Sequence, residues 1–181
     1  MSASLLGPAA PSFDEPVEML DACHGRIMAQ IETLRRLVTY LPQHGVDGAA
    51  RDALHGVLRY FSAAAPHHHE DEESDLFPAL LATAQGEALT QTQALVTRLL
   101  ADHRHMDQLR DTLLAHLRFL LSGEANDLPA AQVETLAELY LGHIERETAE
   151  LLPLARRVLS PEQNEAIGRK MASRRGARFP E

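Results

Sequence analysis

From Pro16 onward, apolar residues recur with the period of a helix. Val17, Leu20, Ile27, Ile31, Leu34 and Val38 fall three, four or seven residues apart, which stacks their side chains on one face. The pattern stops near Leu41-Pro42 and the Gly45-Val46-Asp47-Gly48 turn. A second helix begins around Asp47 and runs through Leu54, Val57, Leu58 and Phe61. Pro66 falls inside it. Proline lacks a backbone donor and crowds the preceding turn, so the sequence predicts a kink or break there. The polar run His67 to Asp75 resumes as helix, ends in Leu76-Phe77-Pro78, and leaves room for one more turn to Ala84. After Gln85-Gly86 a long helix is expected from about Glu87 to Leu121, stopping at Ser122-Gly123. A fourth spans about Pro129 to Leu159, with Pro129 suited to its first turn. Ser160-Pro161-Glu162-Gln163 opens a fifth, shorter helix by its serine cap and early proline, and this one ends near Arg174-Arg175-Gly176.

Four long helices with short connections predict an all-α, antiparallel up-down-up-down four-helix bundle with a short C-terminal fifth helix. The expected division is a flexible leader at 1–15, the bundle at 16–160, and a short helix with a basic tail at 161–181. The cluster Arg169, Lys170, Arg174, Arg175 and Arg178 reads as a solvated face suited to a helix C-terminus.

Composition narrows the function classes. Aromatic residues make up 4% and tryptophan is absent, which favours helix over strand. A formal net charge of −9 argues against nucleic acid or an anionic membrane as partner. No apolar stretch approaches the roughly 20 residues that span a bilayer. The N-terminus lacks the basic and apolar regions of a signal peptide. The single cysteine, Cys23, excludes an internal disulfide framework and leans towards a reducing compartment. The cytoplasm is the expected location.

The chemistry lies in a repeat. His68-x-x-x-Glu72-x-x-x-Leu76-Phe77-Pro78 recurs 75 residues later as His143-x-x-x-Glu147-x-x-x-Leu151-Leu152-Pro153. On a helix each pair aims an imidazole and a carboxylate at the same side. Leu20-x-Ala-x-His24 and Leu99-x-Ala-x-His103 form a second, fainter echo, and both histidines sit among apolar residues that face a core. One His-x3-Glu pair alone is ordinary surface decoration, and one buried histidine is ordinarily satisfied by a hydrogen bond. Four histidines and two glutamates from four helices are more simply explained by a shared metal. Imidazole with carboxylate and no thiolate suits iron, manganese or zinc. A neighbouring register, His69 with Glu73, is equally well spaced. His68 and Glu72 are preferred because their distance to the Leu-Phe-Pro ending matches the second copy. His67, His69 and Glu73 then become flanking polar groups, and His105 points away. Cys23 reads as a small packed residue, and Tyr140 either supports His143 or packs at the bundle edge.

On these residues the chain resembles the hemerythrin-like, or HHE cation-binding, family. The matching features are His24, His68-His69-Glu70-Asp71-Glu72-Glu73 with Leu76-Phe77-Pro78, Asp102-His103, and His143-x3-Glu147 with Leu151-Leu152-Pro153, across about residues 16–160. The resemblance implies a non-haem centre of two iron ions, bridged by an oxo or hydroxo group, with zinc or manganese as substitutes. It makes His24, His68, His103 and His143 terminal ligands and Glu72 and Glu147 bridges. It further implies a small diatomic ligand or peroxide as partner, whether for binding, sensing or turnover. Oxygen carriers of the family have a fifth histidine four residues after the helix-three ligand. This chain has Asp107 there, which is expected either to face the site or to pair with Arg104 or Arg110. The rival reading is a module whose ions are structural and whose surface binds a partner protein.

Overall fold

A computed structural model describes residues 11–180. Helix α1 is Pro16–His44, α2 runs 48–83, α3 is Gly86–Ser122, α4 runs 130–158 and α5 is Pro161–Arg174. No strand occurs among the described residues. No helix among them is long and apolar enough to cross a membrane. The expected leader falls partly on residues 1–10, which lie outside the described ones.

Local chemistry sets the ends of these helices. The Asp47 side chain accepts a hydrogen bond from the Ala50 N–H at 2.9 Å and so starts α2. Gly123, with φ +79°, supplies the left-handed residue that ends α3. Ser160 and Gln163 form a reciprocal capping box at the start of α5. Pro129 stands just ahead of α4 as its cap, so the helix begins one residue later than expected, at Ala130.

Two apolar clusters make up the core, and their order along the chain gives the topology. Leu20 belongs to one cluster and Ile27 to the other, with His24 between them. On α2 the order reverses: Ala65 precedes His68 and Glu72, and Leu76 follows. Leu99 and Met106 bracket His103 on α3, and Tyr140 and Leu151 bracket His143 and Glu147 on α4. Successive helices therefore run in opposite directions through the same three layers. A buried polar layer separates two hydrophobic halves.

Of the kink or break expected at Pro66, the break does not occur, since α2 continues through the proline. Instead α2 contains two π-helical turns, Tyr60–Ala64 and Glu72–Leu76, and α4 contains a third, Glu147–Leu151. Each is followed by one residue and then a proline: Pro66, Pro78 and Pro153. The residue before each proline donates its N–H five residues back, Ala65 to Tyr60, Phe77 to Glu72 and Leu152 to Glu147. The widened turn relieves the clash between the proline ring and the carbonyl four residues earlier, so the helix continues through it. The paired Leu-[Phe/Leu]-Pro endings thus mark π turns, and each of those turns begins with a glutamate of the polar layer.

The basic cluster near the C-terminus is also corrected. Arg174 and Arg175 do not form a solvated face; both turn inward to Asp71, and Arg174 also reaches Asp75. Spacing along α5 alone carries no sign of these acids, which come from α2.

Candidate metal centre

The polar layer contains His24 from α1, His68 and Glu72 from α2, His103 from α3, and His143 and Glu147 from α4, all buried. Their ligand atoms fall into two groups of four. His24, His68, Glu72 and Glu147 each offer an atom within 4.8 Å of the others, and so do Glu72, His103, His143 and Glu147. Both glutamates belong to both groups.

The carboxylate oxygens divide between the groups. Glu147 Oε2 lies 2.9 Å from His24 Nε2, while its Oε1 lies 2.9 Å from His143 Nε2. Glu72 Oε1 lies 3.6 Å from His68 Nε2, and its Oε2 lies 3.3 Å from His103 Nε2. His103 Nε2 and His143 Nε2 are 3.1 Å apart. The geometry has the donor atoms converging on one another.

Electrostatics fits a cationic occupant. Burial pushes the Glu72 carboxyl well above its usual range, and the nearby charge of Glu147 adds to this. Burial also opposes ionisation of Glu147, but hydrogen bonds from His143 and His24 outweigh it and hold that group well below the usual range. Burial drives His68 well below its usual value, which leaves a neutral imidazole with a lone pair to offer. Neither oxygen of Glu72 and neither ring nitrogen of His68 has a hydrogen-bond partner among the described residues. Buried polar atoms without partners are costly, and a pair of divalent cations would satisfy all of them. This donor set fits such ions.

Surrounding groups orient the histidine rings of the layer. His103 Nδ1 donates to Glu73 Oε1 at 2.7 Å, which turns Nε2 towards the centre. His143 Nδ1 lies 3.5 Å from Asp102 Oδ2, itself held by Arg146 at 2.5 Å. Glu73, read from the sequence as a flanking polar group, lies outside both groups but holds His103. His69 also lies outside them and packs against the same ring. Its buried ring stacks on His103 with centroids 4.0 Å apart and planes within 8°, and burial pushes its pKa down to about 4. Two imidazoles on adjacent positions of one ion cannot stack in parallel planes, since each ring plane contains its own metal bond. His69 is thus a neighbour of the centre.

Asp107 does not enter either group. Its half-exposed carboxylate pairs with Arg110 at 2.6 Å and lies 3.4 Å from His69 Nδ1. His105 is exposed, as expected. Tyr140 is buried against Phe61 and His69, and its hydroxyl has no hydrogen-bond partner among the described residues. Buried Cys23 accepts from an Arg26 N–H at 2.9 Å, and burial raises its pKa, as suits a packed thiol. A surface cavity of about 200 Å³ bounded by Pro66, Glu73, Asp107 and Arg110 opens beside His69.

Comparison with known proteins agrees with this geometry. The hemerythrin HHE cation binding domain model matches residues 15–155. The chain is 33% identical over 164 residues to an uncharacterized protein of Haemophilus influenzae, covering 91% of this chain and 92% of the relative. The chain belongs to the hemerythrin HHE cation-binding family.

Proposed function

We propose that this member of the family holds two iron ions in its polar layer and binds or senses oxygen, nitric oxide or reactive oxygen species, or handles iron under such stress. The observation that carries the reading is the division of oxygens: each buried glutamate presents one oxygen to each histidine group. A site for a single ion needs no such arrangement, whereas two ions sharing two carboxylates require it. His24 and His68 would serve one ion, His103 and His143 the other, with Glu72 and Glu147 common to both. Zinc or manganese would satisfy the same donors.

Bound iron would supply reversible one-electron change and an open position for a diatomic ligand or peroxide. The chain's own contribution is to keep the His68 imidazole neutral by burial, aim His103 and His143 by way of Glu73 and Asp102, and close the layer above and below with apolar side chains. The cavity beside His69 is the natural approach for a small solute. The reading places the protein in the cytoplasm, in keeping with its one buried, unpaired cysteine.

Spectroscopy separates this from the structural module. Protein loaded with iron should absorb in the near-ultraviolet, and the band should change on reduction and again on exposure to oxygen, nitric oxide or peroxide. A protein that purifies with zinc and gives no response after iron loading would contradict the proposal and favour the structural role.

A further inference from the structure

The C-terminal helix lies beyond the matched residues 15–155, yet it grips the segment that carries Glu72. The segment 70–75 holds five acids, Glu70, Asp71, Glu72, Glu73 and Asp75. Glu72 enters the polar layer and Glu73 holds His103. The other three go to α5. Arg174 reaches Glu70 through Nε at 3.1 Å, Asp71 through Nη1, and Asp75 through Nη2 at 2.7 Å. Arg175 forks onto both oxygens of Asp71 at 3.1 and 2.5 Å. Lys170 meets the remaining oxygen of Asp75 at 2.8 Å. The side chains of Asp71 and Asp75 are 0% and 2% exposed, so their pairs with Arg174 and Arg175 are largely buried, with a fixed geometry.

We infer that α5 is a positioning element for the metal centre, in which Arg174 and Arg175 fix the π turn that aims Glu72 between the two histidine groups. The inference rests on the two-ion reading above. Asp71 is the residue just before that turn and Asp75 lies within it, so the anchors bracket the glutamate.

The two copies of the motif show why one needs the anchor. Glu147 is held more closely: its Oε2 is hydrogen-bonded to His24 Nε2 at 2.9 Å, and His143 Nε2 lies 2.9 Å from its Oε1, although that oxygen has no hydrogen-bond partner among the described residues. Glu72 has longer contacts, 3.3 and 3.6 Å, and neither oxygen is hydrogen-bonded among the described residues. In the second copy the positions of Asp71 and Asp75 are taken by Arg146 and Glu150, and Arg146 pairs with Asp102 on α3. Only the copy with the loosely held glutamate is clamped by α5. On its other side α5 is pinned by the core through Ile167 and Met171, and by the chain at Phe13, whose carbonyl lies against Gly168.

The test compares Arg174→Gln and Arg175→Gln with Leu54→Ala, a core variant in the opposite hydrophobic half. Metal dissociation constants are measured by chelator competition well below each melting midpoint. The arginine variants should weaken binding of the ion pair roughly 10- to 100-fold, the range for losing an outer partner of a metal ligand. Leu54→Ala, although it lowers the melting point, should keep wild-type affinity. Arg174→Lys and Arg175→Lys keep the charge but lose the fork, and should fall between. They carry the test if the glutamine variants fail to fold. Wild-type affinity in a folded arginine variant would overturn the inference, as would a loss in Leu54→Ala that tracks its melting point. If the wild-type protein takes up no ion pair, the functional reading fails first and the positioning role falls with it.

Discussion

At the scale of single residues, neighbours in sequence have different roles. Glu72 and Glu73 are adjacent, but Glu72 meets both histidine groups whereas Glu73 touches only the outer nitrogen of His103. Glu72→Ala and Glu147→Ala should each abolish binding of the ion pair, because each removes a group common to both ions. Glu73→Ala should retain two ions at saturating metal while weakening affinity about 10-fold or more. Elemental analysis and chelator competition together distinguish these outcomes. Loss of both ions from Glu73→Ala with retention in Glu72→Ala would shift the register by one residue. Asp107 gives a different expectation. It pairs with Arg110, and the stacked ring of His69 lies beside His103. Asp107→His should therefore leave the iron spectrum unchanged and alter stability by no more than about 1 kcal/mol, since the pair is half-exposed and Arg110 keeps Asp111 as a partner. A new ligand-derived absorption band would contradict this.

At the scale of elements, the π turns link sequence to site. Pro153 keeps α4 from closing its regular bonds across the turn that starts at Glu147. Pro153→Ala restores a donor for the carbonyl of Ala149, four residues back, so it should raise the melting point of the metal-free protein and weaken metal binding. Unchanged affinity with unchanged melting would separate the turn from the proline. Gly168→Ala reverses the usual helical rule. Alanine normally stabilises a helix by up to about 1 kcal/mol over glycine, but a Cβ here would stand 1.8 Å from the Phe13 carbonyl oxygen. The variant should melt lower than the wild type in a thermal scan. The helices, their caps and their antiparallel order were legible in the sequence because they follow from periodicity and from Asp47, Gly123 and Ser160. The six residues of the polar layer were legible because the motif repeats. The π turns are marked by Pro66, Pro78 and Pro153, but the sequence predicts only a kink or break at Pro66 and an unbroken helix through Pro153, since proline in isolation does not specify a widened turn. The places of His69 and Glu73, and the pairing of Arg174 and Arg175 with Asp71, were not legible. They depend on which helix faces which, and local spacing does not encode that.

At the scale of the whole molecule, the polar layer is a cost that bound ions would convert into stability. Ions that bind only the folded state add about 2.7 kcal/mol each at a concentration 100-fold above the dissociation constant. For a chain of this length that is roughly 5–10 °C of melting temperature per ion. Removing metal should lower the melting point by at least that much, and re-adding it should restore the loss. An equal melting point with and without metal would mean that the layer is satisfied without ions. Whether two ions share Glu72 and Glu147 is decided by counting them. Metal-free protein is titrated with ferrous iron under anaerobic conditions, excess metal is removed, and iron per chain is determined. The account predicts two irons per wild-type chain and none retained in Glu72→Ala or Glu147→Ala. One iron per wild-type chain, or two retained after loss of either glutamate, would contradict it.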